Sequence, residues 1–209
     1  MIIRSAIKLP CASNLLLAGG FILSLCCLFP TFLNAAAVNT PWSETGVLLA
    51  GAIPLDSPDE LEEQWSGGAG MTAILSTPIY PGYLDAGVLL TMNKARDELT
   101  PDFLIRYLFL GWDWYVSLPG SFQGFAGVHC GNCNFLFDDT DVTDPQKSES
   151  EFAAGFSTGG KYSFSENWLL ACNLRQTTVF TRRRIHLTHL IVGVEYRFDN
   201  PDWLRGLLR

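Results

Sequence analysis

The stretch RIHLTHLIVGVEYRF, residues 184–198, alternates almost without fault. His186, Thr188, Leu190, Val192, Val194, Tyr196 and Phe198 share one parity, and Ile185, Leu187, His189, Ile191, Gly193, Glu195 and Arg197 share the other. Successive strand side chains point to opposite faces, so one face becomes apolar and aromatic while the other ends in a small residue, an acid and a base. Similar runs, alternating or apolar and bounded by turn chemistry, recur along the chain. Eight are readable, over roughly 45–53, 67–77, 83–93, 102–117, 121–134, 151–164, 167–181 and 184–198. The connections after the second, fourth and sixth are tight (PIYPG, LPGS, SEN). Those after the first, third and fifth are long and charged (PLDSPDELEEQW, KARDELTP, FDDTDVTDPQKSES), and the last, TRRR, is short but strongly charged. An even number of strands with tight turns at one end predicts an up-and-down antiparallel array. Helical signals are scarce, since DELEEQW carries no apolar stripe.

The apolar faces need a solvent. In hydrocarbon every backbone N–H and C=O must find an internal partner, which a sheet achieves only by closing on itself. The pattern therefore predicts an all-β, eight-stranded antiparallel up-and-down transmembrane β-barrel over residues 45–198, apolar outside and polar or small inside. Phe152, Ala154, Phe156, Tyr162 and Phe164 oppose Gly155, Ser157, Gly159 and Lys161 in the sixth run, and Leu84, Val88, Leu90 and Met92 oppose Asp85, Gly87 and Thr91 in the third. The seventh puts Trp168, Leu170, Cys172 and Leu174 outward against Asn173, Arg175 and Thr177. Tyr80, Tyr83, Phe164, Trp168, Tyr196 and Phe198 fall at the tight-turn end, where an interfacial girdle belongs. The first, fourth and fifth runs alternate poorly. YLFLGWDWYV is apolar on both faces, so either Trp112 and Trp114 pack the lumen or the register there differs.

Composition divides the chain at its start. Arg4 and Lys8 precede the apolar run NLLLAGGFILSLCCLFPTFL and the small-residue ending NAAAV. Those are the regions of a cleavable signal peptide, residues 1–37, with Ala35 and Ala37 at the −3 and −1 positions before Val38; a retained anchor is the alternative. Residues 38–44 then form an N-terminal segment and 199–209 a C-terminal periplasmic tail. All 21 acidic residues follow the cut, so 12 basic groups remain and the mature charge is −9. That balance argues against a nucleic-acid partner. Cys130, Cys133 and Cys172 also remain, an odd number.

With these features, residues 45–198 resemble the OmpA/OmpX-like small outer-membrane β-barrels of Gram-negative bacteria. The resemblance rests on the leader, the eight runs, GFSTGGKYSFSENWLLACNLR and the closing VGVEYRF. It implies residence in the cell outer membrane among outer-membrane lipids and lipopolysaccharide. It also implies handling by periplasmic chaperones and by the barrel-insertion machinery, which would read the final aromatic strand. Such barrels usually end at that aromatic, whereas DNPDWLRGLLR follows Phe198 here.

Candidate chemistry is sparse. Asp85, Arg106, Lys161, Arg175, Glu195 and Arg197 have mixed sign and are expected inside as a paired network, either packing the lumen or gating a polar path. HCGNC is a C-x-x-C for which a local disulfide between Cys130 and Cys133 is favoured over metal, because His129 with two cysteines gives three ligands at best. Cys172 reads as a small lipid-facing hydrophobe. A lipid A-modifying enzyme would need a nucleophilic serine, a histidine and an orienting carboxylate. His186 and Glu195 lie on opposite faces, His189 and Glu195 are about 20 Å apart along the strand, and no His-Ser pair is present. No catalytic residue, metal or cofactor is therefore expected. The acidic connectors (Asp56, Asp59, Glu60, Glu62 and Glu63; Asp138, Asp139, Asp141 and Asp144) and the basic Arg182, Arg183 and Arg184 form a charged rim. Guanidinium forks suit bidentate contact with lipopolysaccharide phosphates. The expected role is structural or adhesive, with an unknown external ligand. A narrow pore for small solutes, a lipid A deacylase or acyltransferase, and a soluble lipocalin-like barrel with an apolar interior are the alternatives.

Overall fold

A computed structural model describes residues 44–56, 64–79, 82–97, 100–138, 149–182 and 184–200. The expected leader, the tail beyond Asn200, Tyr80, Arg183 and most acidic residues of the first and third long connectors lie outside the described residues. Eight strands are present: β1 (Glu44–Asp56), β2 (Trp65–Ile79), β3 (Gly82–Ala95), β4 (Phe103–Ser117), β5 (Phe122–Phe137), β6 (Glu149–Ser163), β7 (Trp168–Val179) and β8 (Ile185–Asp199). Each coincides with one run read from the sequence. The largest extensions, to Asp56 in β1 and Phe137 in β5, occur at the long-connector end.

Every sequential pair is antiparallel, and β1 pairs with β8 from Glu44↔Asp199 to Asp56↔Thr188, so the sheet closes without an edge. This satisfies the backbone as hydrocarbon requires. The outer face is apolar throughout its middle, with Leu49, Met71, Leu75, Leu108, Leu110, Val128, Phe156, Leu170, Val192 and Val194 all exposed. At the tight-turn end Phe122 and Tyr162 pack at 4.8 Å between ring centroids, as do Trp168 and Tyr196, forming an aromatic girdle. Tyr83 is not part of it. Its ring lies 4.6 Å from that of Tyr115, inside the barrel.

β4 corrects the sequence reading. Trp114 is exposed on the outer face, and Trp112 shares its parity, so neither packs the lumen. The inward positions are Phe103, Ile105, Tyr107, Phe109, Gly111, Asp113 and Tyr115. β4 looked apolar on both faces because it is so. The barrel interior near the long connectors is an apolar core that includes Phe103, Ile105, Phe109, Phe135, Val179 and Leu187. Trp65 caps it, packing edge-on against Phe103 and donating its indole N–H to the Pro101 carbonyl at 2.9 Å. The polar-inside expectation therefore holds for the charges, which gather in the tight-turn half, whereas the other half is largely apolar with Thr91, Asn93 and Thr177 among its buried residues.

Large inward rings need small inward neighbours. A Cβ on Gly87 would lie 2.5 Å from the Phe109 ring, and one on Gly131 would overlap the Leu108 carbonyl oxygen. Glycine at these positions lets adjacent strands and rings occupy the same narrow cross-section.

Candidate functional site

The polar half of the lumen is built from residues near the strand ends at the tight turns. Glu195 on β8, 1 % exposed, sits between two cations. Lys161 of β6 contacts its Oε2, and Arg197 Nε donates to its Oε1 at 2.8 Å. Room for the carboxylate comes from Gly46 across the β1–β8 seam, where a Cβ would lie 2.7 Å from Oε1. Both cations are held from a second side. Lys161 Nζ donates to the Tyr115 hydroxyl at 2.7 Å and lies 4.7 Å from that ring's centroid. Arg197 Nη2 donates to Gln123 Oε1 at 3.0 Å. The arrangement is a charge-assisted network in a buried site, the form in which buried charges are tolerated.

A second tier lies above it. Asp113 of β4 accepts from the Ser157 hydroxyl at 3.3 Å, and Asp85 of β3 is buried on the same side of the sheet. Arg175 of β7, 3 % exposed, stacks its guanidinium 4.0 Å over the Phe109 ring. The register sets it between Ser157 of β6 and His189 of β8. His129 Nδ1 hydrogen-bonds the Tyr107 hydroxyl at 2.8 Å, and His189 Nε2 lies 3.4 Å from Thr91 Oγ1. Beyond this tier the lumen is filled by the apolar core.

Five of the six charges expected inside, Asp85, Lys161, Arg175, Glu195 and Arg197, are brought together there. Arg106 is not. It shares parity with Leu104 and Leu108, pairs with Leu90 and Asn134, and is exposed on the outer face. Asp113, Tyr115, His129 and Tyr107 are interior members that the sequence reading passed over. Gly111 and Asp113 carry the missed signal, since a glycine and an acid at one parity mark the inward side and send Arg106 outward.

The C-x-x-C is also corrected. Cys130, Cys133 and Cys172 are free thiols. The motif lies within β5 rather than at its end, so three residues separate the sulfurs by about 10 Å along the strand and place them on opposite faces. Cys133 is buried against the lumen, while Cys130 and Cys172 are exposed outside. At the rim, Arg182 and Arg184 are exposed, with Arg184 Cζ 6.0 Å from the Phe180 ring centroid. His186 faces outward with its Nδ1 3.1 Å from Thr178 Oγ1, and no carboxylate among the described residues orients its ring. Among the described residues no three His, Cys, Asp or Glu side chains are grouped to hold a metal ion.

No protein-family model matches the chain, and no curated protein matches it in sequence. Solved structures share its architecture. Neisserial surface protein A is 15% identical, covering 75% of this chain and 97% of its own, at a TM-score of 0.50. The outer membrane protein OprG from Pseudomonas aeruginosa is 11% identical over 76% of this chain and 97% of its own, also at 0.50. A major outer membrane protein from Thermus thermophilus is 15% identical over 74% of this chain and 99% of its own, at 0.52. The chain thus has the fold of the small OmpA/OmpX-like outer-membrane β-barrels, an eight-stranded antiparallel cylinder closed by its first and last strands.

Proposed function

We propose that the protein is an outer-membrane barrel sealed to solutes, acting at the cell surface through its long connectors in a structural or adhesive role. One observation carries the reading: buried side chains occupy the lumen at both ends, the Lys161–Glu195–Arg197 network with its second tier towards the tight turns and the apolar core around Phe103 and Phe135 towards the long connectors. Eight strands leave an interior that side chains fill. The apolar outer face and its aromatic girdle support membrane residence, and the surface and outer-membrane proteins that share the fold support the outer membrane as its location.

The remaining parts follow from that reading. Residues 1–37 act as an export leader cleaved before Val38, and periplasmic chaperones deliver the chain to the barrel-insertion machinery. Arg182, Arg183 and Arg184 meet lipopolysaccharide phosphates at the rim, and no catalytic step is assigned. Planar-bilayer recording of the purified, heat-modifiable barrel tests the proposal, with no steady current as the expected result. A stepwise conductance would replace it with a narrow pore. An altered lipid A acyl pattern in cells carrying the protein would replace it with a lipid-modifying enzyme.

A further inference from the structure

The outer surface of β4–β6 holds a polar notch beside the apolar belt. Arg106 sits on the lipid-facing side of β4, with Leu108 and Leu110 on the tight-turn side of it and Leu104 on the other. Its neighbours at the same level and beyond are apolar on one flank: Leu90 pairs with Arg106, and Met92, 62% exposed, pairs with Leu104. On the other flank Asn134 pairs with Arg106, and Asn134 pairs in turn with Ser150 of β6. Leu136 closes the notch towards the long connectors, and Phe152 closes it towards the tight turns.

The side chains in the notch are linked by hydrogen bonds. Asn134 Nδ2 donates to Asn132 Oδ1 at 2.6 Å, and Asn132 Nδ2 donates to Ser150 Oγ at 2.7 Å. Ser150 keeps its hydroxyl hydrogen and Asn134 keeps a second amide hydrogen, and the Arg106 guanidinium has no ion-pair partner among the described residues. Such a chain presents donors at both ends beside a fixed positive charge, so its complement is an acceptor-rich anion. Strands rising into water would be polar around the whole circumference. Here Ile53, Leu55 and Met92 are exposed near the long-connector ends of β1 and β3, and Leu104 and Leu136 lie beyond the notch, so apolar surface continues on its long-connector side, while Gln176, Thr178, His186 and Thr188 form a separate, uncharged outward group on β7 and β8. A lipid-facing arginine is costly away from the interface and is favoured only where an anion or water meets it.

We propose that this notch binds the phosphate of an outer-leaflet lipid headgroup, with Arg106 as the cation and the Asn134–Asn132–Ser150 chain fixing the phosphate oxygens. The proposal rests on the transmembrane reading above and is distinct from the Arg182–Arg184 rim. A lipid is chosen over free phosphate because apolar side chains bracket the notch on both sides, placing it against acyl chains rather than open water.

Native mass spectrometry of the full-length protein released from detergent micelles tests this. The probes are diphosphoryl lipid A, the same glycolipid stripped of phosphate, and inorganic phosphate. Arg106→Gln is expected to weaken diphosphoryl lipid binding about tenfold, the scale of one lost charge-assisted group. Arg106→Lys should recover part of that loss, and Asn132→Leu should weaken binding by about threefold. The stripped glycolipid should bind wild type and Arg106→Gln equally, and inorganic phosphate should not compete. Arg106→Gln binding within twofold of wild type would overturn the proposal. So would a wild-type dimer lost in Arg106→Gln, which makes the notch a contact between copies, or displacement by inorganic phosphate. Heat-modifiable mobility is read on every variant. Its absence in wild type would sink the membrane-barrel reading itself, whereas a normal shift with unchanged lipid binding sinks the notch alone.

Discussion

Glu195→Gln isolates what the interior network contributes. The substitution keeps the size and hydrogen-bonding oxygen of the side chain and removes its charge, leaving Lys161 and Arg197 without the carboxylate that bridges them. At an effective dielectric of about 20, unit charges 2.8 Å apart, the Arg197–Glu195 separation, attract by about 6 kcal/mol. Most of that offsets the desolvation of side chains exposed by only 2% at Glu195 and 12% at Arg197, so the gross attraction is not the stability at stake. Breaking a buried pair by removing one partner costs about 3–5 kcal/mol, because the orphaned charge stays buried. Glu195→Gln orphans two cations and is expected at the upper end of that range. Lys161→Met leaves Glu195 paired with Arg197 and should cost less. Urea titration of the barrel in lipid vesicles, followed by the heat-modifiable band, measures both. A loss under about 1 kcal/mol for Glu195→Gln, or a greater loss for Lys161→Met, would refute a network centred on this carboxylate.

Other outcomes follow from the same geometry. Intact mass after denaturing alkylation without reductant should show Cys130, Cys133 and Cys172 all modified, and a protected Cys130–Cys133 pair would contradict the register of β5. Gly131→Ala places a methyl against the Leu108 carbonyl and the Phe109 Cα, both backbone, so neither can rotate away. It should cost about 3 kcal/mol in the urea assay or abolish folding. Trp114, 42% exposed on the outer face, should be quenched by brominated acyl chains, so Trp114→Phe should remove more of the quenchable emission than Trp65→Phe.

Much of this barrel was legible because one physical contrast governs it. In β3, β6, β7 and β8 lipid on one side and a polar or small-residue lumen on the other impose a period of two, and turns such as Ser165–Asn167 interrupt it. β4 lost the contrast because Phe103, Ile105, Tyr107 and Phe109 face an apolar interior while Leu104, Leu108 and Leu110 face acyl chains. Without that alternation Arg106 was sent inward by its charge alone. The C-x-x-C failed for a related reason. β5 runs on to Phe137, and a motif that closes a ring in a turn is pulled open in a strand. The pairings Lys161–Tyr115 and Arg197–Gln123 join residues 46 and 74 positions apart and have no local signature.

The two halves of the lumen have a joint consequence. One stopper is ionic, stabilised by attraction between opposite charges, and the other is oily, stabilised by exclusion of water. Removing a charge loosens the first and leaves the second in place, while a shortened ring in the second leaves the first in place. On the sealed reading proposed above, two locks of different make stand in series, and leakage requires both to fail together.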